Sequence, residues 1–443
     1  MKSSRDPAMS RRRFLKGSAA MGALSSLPFA SACAKARERI HFATWSAAVD
    51  QVKSHVNAFE KETGIQVAYE NAPGAQFRQI LITKFVSGAP LDVMWVNDAW
   101  LPEFSEAGWI APVDQYPSLM KYNDDLRQYC IDSMTYQGRQ YGNVYYTDFM
   151  GFLYNEEILG EAGISAPPET WEEVVEHSLE IKRKGLCDYP MLISLEADAW
   201  MVEFISSLVF SFGGRFVDGG GKSIVQDPRG GAVAALRWLQ DAIHEHEIIS
   251  PGAASTQEMN GLKAFGAGQH AFGIIPRYRS RPLNNPAESQ VAGKVRMALM
   301  PRGPDGTHAT CGWVRFYGMT TAAQRDPSKA ENVVKLIEWF GGKALGEYRF
   351  QKMLMLDLGV PFCTTSLESD PDIVAFHERY LGGGEIVSEQ AGLVVEKDVI
   401  TPWFAEWNQI NSQAWQKAVL NQTTATEALT ESGEAWDRLK AAY

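Results

Sequence analysis

The stretch Tyr141–Leu159, YGNVYYTDFMGFLYNEEIL, decides how the rest of the chain is read. A first strand-like run, Val144-Tyr145-Tyr146, follows Gly142. Thr147-Asp148 interrupts it, and a second apolar run extends from Phe149 to Tyr154. Short runs of β-branched and aromatic residues punctuated by Gly and Asn read as strand. Thr147-Asp148 is not a hairpin turn pair. The two runs therefore read as one long strand that changes surroundings midway, as a chain leaving one packed lobe for another would do. After Asn155, Glu156-Glu157-Ile158-Leu159 starts a helix. An ordinary buried strand followed by a helix fits the same residues, because short apolar runs are ambiguous on their own.

Upstream, strand and helix alternate. Ile40–Trp45 reads as a strand, and Val52, His55, Val56 and Phe59 fall at helical spacing. Ile65-Val67-Tyr69 alternates as a second strand. Phe77, Ile80, Leu81 and Phe85 mark a helix stopped at Ser87-Gly88-Ala89-Pro90, and Leu91–Val96 is a third strand. Such alternation implies a parallel sheet. Downstream, helices are expected from Trp171 to Lys184, Trp200 to Phe212, Ala232 to His244 and Ala330 to Trp339. Strands are expected at His270–Ile275, Val295–Met300 and Trp313–Met319. The C-terminal third is largely helical, with Ala414–Leu420 and Thr424–Leu439 the clearest segments.

The central stretch, with Ala162-Gly163-Ile164 and Pro167-Pro168-Glu169-Thr170-Trp171 after it, resembles the bacterial extracellular solute-binding proteins, family 1, the sugar-binding components of ABC importers. Phe59–Val67 (FEKETGIQV), Ser87–Val93 and Ala107–Asp114 carry the same likeness, which extends from about Ile40 to the C-terminus. Val144 stands in place of the family's Pro, and Phe152 in place of its Leu. The resemblance implies an α/β, two-lobed periplasmic-binding-protein-like fold of type II, with a ligand cleft and a hinge between lobes. One lobe would be residues 38–146 plus 299–348, and the other 147–298 plus 349–443.

The N-terminus adds an address. Ser10-Arg11-Arg12-Arg13-Phe14-Leu15-Lys16 resembles a twin-arginine signal. A mildly apolar segment from Gly17 to Phe29 follows, then the small-residue site Ala30-Ser31-Ala32. Residues 1–32 thus read as a signal peptide, and the mature chain as periplasmic. Cleavage there would leave Cys33 first, as in a lipoprotein, although Ala30 stands where such signals carry Leu or Val. The signal segment holds six basic residues and one acid, a net +5, so its removal moves the net charge from −11 to −16. So acidic a chain is a poor partner for nucleic acid or an anionic membrane. Cys130, Cys187, Cys311 and Cys363 are too few and too scattered for a disulfide framework, and no C-x-x-C occurs.

Catalytic and metal signatures fail on inspection. There is no G-x-S-x-G elbow. His244-Glu245-His246-Glu247 puts its histidines two apart, on different faces of a helix, so no metal site is expected. Gly221-Lys222-Ser223 lacks the earlier glycine of a phosphate loop, since Phe216 stands there. No cofactor is expected. What the chain has is aromatic excess, with 13 Trp and 15 Tyr in 443 residues. Sugar rings offer apolar C–H faces to flat rings, while their hydroxyls need oriented polar partners.

Open α/β sheets bind ligands beyond their strand ends. Trp45-Ser46 ends the first strand, and Asn97-Asp98 follows the third. Asp148 sits inside the crossing strand, and Arg277-Tyr278 follows Ile274-Ile275-Pro276. The structural alternatives are a core position for Trp45, a helix cap for Asp98 and a turn for Asp148. The resemblance adds Trp200, Trp313 and Trp403 as cleft aromatics. Arg277 and Arg315 leave room for an anionic ligand, because guanidinium forks match carboxylates and phosphates. The implied function is that of a monomeric ABC-importer component that binds a small carbohydrate and docks on the permease transmembrane subunits. An exported glycoside hydrolase, or a binder of glycerol phosphate or polyamine, is the alternative.

Overall fold

The computed structural model describes residues 39–198 and 200–443. The signal segment and Cys33 lie outside the described residues. Strand β1 (Arg39–Trp45) leads into a helix, Val49–Thr63, whose Val52, His55, Val56 and Phe59 are buried at the expected spacing. The helix begins at Val49, because Ala48 takes a left-handed conformation (φ 55°) just before it. Gly64, also left-handed, closes it. Strand β2 (Gln66–Ala72), the helix Gly74–Ser87 and strand β3 (Val93–Asn97) follow. β1 pairs in parallel with both β2 and β3.

The crossing strand, β4 (Gly142–Asn155), runs for 14 residues, and all but Tyr154 are buried. Both faces are covered, which explains an apolar run without strict alternation. The main sheet also contains β5 (Met191–Leu192), β6 (Phe272–Pro276), β7 (Val295–Ala298) and β8 (Thr310–Thr320), and further two-residue strands occur besides. The path is β2-β1-β3-β8-β4-β6-β5, with β7 also on β4. Along β4 the partners change. Gly142–Phe149 pairs with β8. From Met150 onward the partner is β6, and from Phe152 to Asn155 also β7. The handover comes between Phe149 and Met150, one residue past Thr147-Asp148, where the sequence breaks its apolar run. The result is two lobes that share one strand.

Gly142 shows why the entry to β4 has no side chain. A Cβ there would stand 2.2 Å from the Phe316 ring and 2.6 Å from the Tyr317 carbonyl oxygen. Against β4, the register of β8 shifts between Arg315 and Phe316. A bulge there re-aims the side chains on its two sides.

Helices cover the sheet. Met201–Ser211 is buried at every position and packs on β8. Trp171–Arg183 opens with a capping box between Thr170 and Glu173. The helices Phe404–Val419 and Ala425–Ala442 pack on each other and on Gly231–His244. Three further helices, Arg349–Leu358, Pro371–Leu381 and Gly384–Gly392, fill the part of the C-terminal third that the sequence left unassigned. Cys130, Cys187, Cys311 and Cys363 are all buried and free. Among the described residues no helix is long and apolar enough to cross a membrane.

Candidate functional site

Alternation along β4 sends Tyr146 and Asp148 to one face and Thr147 and Phe149 to the other. On the Tyr146 face an aromatic run assembles from two groups of rings bridged by Arg315. Trp45, at the end of β1, stacks on Trp95 of β3 (centroids 5.4 Å apart, planes 15° apart) and on Tyr146 (6.0 Å, 17°). The Arg315 guanidinium lies 5.8 Å from the Trp95 ring and 6.0 Å from the Trp313 ring. Trp200, just before the buried helix, meets Trp313 edge to face at 5.6 Å. The Trp95 indole N–H is buried without an acceptor. Trp45, Trp200 and Tyr278 are partly exposed, whereas Trp313 is fully buried.

Charged groups are set into this run in pairs. Asp148 is fully buried. Its Oδ1 accepts from Arg277 Nε at 2.9 Å and its Oδ2 from the Tyr278 amide at 3.0 Å. Each oxygen keeps a second lone pair. Burial pushes the Asp148 carboxyl pKa up, and Arg277 and the amides pull against that rise. Asp98 accepts from the Val314 amide and from Arg315 Nη1, both at 2.9 Å. Lys397 Nζ stands 3.6 Å from Asp98 and 3.0 Å from Glu203. Burial lowers the pKa of that lysine, but Asp98 and Glu203 outweigh it and hold it above the ordinary value. Arg279 stacks over Tyr278 at 4.4 Å and pairs with Glu258 at 2.7 Å. Burial raises the Tyr146 phenol to about 12.

Of the candidate residues, these contacts join Trp45, Asp98, Trp200, Trp313 and Arg315 in one group and Asp148, Arg277 and Tyr278 in a second. Ser46, exposed beside Trp45, bonds to Asn71 Oδ1 at 3.0 Å. Asn97 accepts from the Ala99 amide at 3.0 Å and so caps the turn Asp98–Trp100. Trp403 goes elsewhere, packing against Trp436 and Tyr443. Sequence reasoning missed Trp95, Tyr146, Glu203 and Lys397. Tyr146 was within reach, two residues before Asp148 and so on the same face of the strand. Glu203 also left a signal, a lone charge in an otherwise uncharged helix. Lys397, in a polar Glu-Lys-Asp loop, left none.

Two lobes sharing a strand, with stacked rings and neutralised charges gathered at the crossing, define a two-lobed ligand-binding protein. Residues 36–346 match the family model of the bacterial extracellular solute-binding proteins, and the chain belongs to that family. The match ends short of the C-terminus, to which the sequence likeness was expected to extend. Residues 8–28 match the twin-arginine translocation pathway signal, so the chain is exported by that route to the periplasm. Among similar proteins, one from Deinococcus radiodurans, provisionally named an ABC transporter-binding protein, is 26% identical over 316 residues, 65% of this chain and 68% of that one. A maltose-bound T. maritima protein superposes with a TM-score of 0.77 at 21% identity, covering 90% of this chain and 99% of the other. A solute-binding protein of Agrobacterium vitis S4 with bound D-mannitol gives a TM-score of 0.72 at 22% identity, covering 91% and 99%.

Proposed function

We propose that this chain is the substrate-binding component of an ABC importer. It captures a neutral carbohydrate or polyol between its lobes and delivers it, chemically unchanged, to a membrane permease. The observation that carries this reading is the aromatic run Tyr146–Trp45–Trp95 and Trp313–Trp200, with acids and guanidiniums fixed among its rings. Flat rings suit the C–H faces of a sugar, and charged groups held in place suit its hydroxyls. Relatives support the reading. One is named for an ABC transporter, and two solved neighbours hold maltose and mannitol.

The charge balance favours a neutral ligand over the alternatives. Arg315, which could have met a phosphate among the rings, is committed to Asp98, and Arg277 turns its Nε to Asp148. Those acids, which could have met a polyamine, are committed in return. The same pairings count against glycosidase chemistry, which needs one carboxyl free to give a proton and a second free to act on the sugar or water. Among the described residues no cluster of ligating side chains would hold a metal.

The lobes are proposed as residues 38–146 plus 299–348 and 147–298 plus 349–443, and the protein as a monomer. Ligand that touches both lobes favours the closed form. Calorimetry of the mature chain with maltose, D-mannitol, glycerol 3-phosphate and spermidine tests the reading. A neutral sugar or polyol binds and is recovered intact. Binding by only the charged compounds, by none of the four, or turnover of maltose to glucose overturns it.

A further inference from the structure

Behind the hinge strand, on the Phe149 face, lies a cavity of about 880 Å³ that the proposed transport function does not use. Its apolar wall includes Phe149, Phe362, Ile386 and Val387. Its polar end is made by three elements. The Arg277 guanidinium covers the Phe149 ring at 4.4 Å. It spends its Nε on Asp148, while its two terminal nitrogens make no hydrogen bond among the described residues. The imidazole of His377, 5% exposed, lines the same space, and its Nε2 is enclosed without a partner. Beside it starts the nine-residue helix Gly384–Gly392, which carries no capping side chain. A Cβ on Gly384 would lie 3.8 Å from His377 Nδ1, so the ring stands at the helix start.

Unsatisfied amides at a helix start, a guanidinium and an unpartnered imidazole all favour negative charge in one place. The mouth is different. Glu378 and Glu385 are exposed there, and Glu368 is already held by Arg127 at 2.5 Å. Acids at the mouth repel a second negative charge on the outer end of a ligand. The apolar wall would gain nothing from a bare inorganic ion, but would bury a hydrocarbon body at about 25 cal/mol per Å².

We propose that this cavity is a second binding site, for a small organic monoanion. Its carboxylate sits at Arg277, His377 and the start of the helix Gly384–Gly392, and its apolar body lies on Phe149 and Phe362. Because Arg277 also holds Asp148, the site is one side chain from the hinge strand. Occupancy there would bear on lobe closure by linkage.

The test is calorimetry on the mature chain with 4-phenylbutyrate, its amide, and the dianion succinate, alongside ¹H–¹⁵N spectra of the histidine side chains. The acid is expected to bind at least about tenfold more tightly than the amide or succinate, a difference of about 1.4 kcal/mol, and to shift the His377 ring signals. His377→Phe and the cavity-filling Val374→Trp should each weaken it by a similar factor, with the far-ultraviolet circular dichroism and cooperative thermal unfolding retained. No binding by the folded protein at about 10 mM acid overturns the proposal. So does equal binding of acid and amide, or affinity that survives both substitutions.

Discussion

Asp148 and Arg277 form a buried ion pair, 2.9 Å between Oδ1 and Nε, two residues before β4 passes from β8 to β6. Their side chains are 0% and 7% exposed. Removing one member of such a pair leaves an uncompensated charge out of water and costs about 3–5 kcal/mol. Asp148→Ala should therefore destabilise the protein by that amount in urea unfolding, besides weakening ligand binding. Asp148→Asn keeps an acceptor for the Tyr278 amide and should lose less. Equal stability of the alanine variant and the parent would show that the pair does not organise the crossing.

Trp45 offers a cleaner measure of the site, because it is only partly buried. Trp45→Ala removes the ring that stacks on both Trp95 and Tyr146. The expected loss is about tenfold in sugar or polyol affinity, or 1.4 kcal/mol, with a stability loss of about 1–2 kcal/mol. Trp45→Phe should fall between the two. Calorimetry and thermal unfolding on the same samples separate the effects.

Acid should unfold the protein in a window set by histidines. His55 is 7% exposed and its Nε2 lies 3.0 Å from the Trp339 carbonyl oxygen. Burial lowers its pKa to about 4 against an ordinary 6.5, with the Trp339 carbonyl pulling it up and Arg349 pushing it down. His377 is lowered to about 4 by burial and then by Arg277. In the unfolded chain these rings take a proton near pH 6.5, while in the folded protein they resist. Their stabilising contribution is complete above pH 6.5 and is lost as pH falls toward 4. The slope reaches about 1.4 kcal/mol per pH unit for each ring. His55→Phe should flatten the fall in urea-unfolding free energy between pH 6.5 and 4. An unchanged slope in that variant would remove His55 from the account.

Much of this fold was legible because its signals are local. The break at Thr147-Asp148 falls one residue short of a real change of strand partners, and the glycines that end helices carry their own conformational reason. The helices of the C-terminal third were legible only in outline. Arg349–Leu358 buries only Phe350, Gln351, Leu354 and Met355, a short stripe that a window reading does not separate from a loop. The aromatic positions at strand ends were readable because sheet topology places them. Trp403 shows the limit of that reasoning. It follows Pro402 in a loop, and only tertiary packing against Trp436 decides which way it faces. Ion pairs between residues far apart in sequence, such as Lys397 with Glu203, leave no local trace at all.

That lysine gives the sharpest energetic prediction. Arg315 and Lys397 supply two positive charges to a buried group in which Asp98 and Glu203 supply two negative ones, so the set is neutral. The side chain of Lys397 is 1% exposed, and those of Asp98 and Glu203 are 6% exposed. Lys397→Met leaves one negative charge in excess in a region that water cannot screen, and should cost about 3–5 kcal/mol. Glu203→Gln alone leaves one positive charge in excess and should also destabilise. The double substitution restores neutrality, since Asp98 and Arg315 still pair at 2.9 Å. It should therefore be more stable than the Lys397→Met single variant, a coupling of opposite sign to the single losses. Urea unfolding of the four proteins closes this cycle. Additive losses would mean that the lysine and the glutamate do not sense each other, and that the short contact between them contributes nothing to holding the segment Val394–Val395 and its continuation against the buried helix.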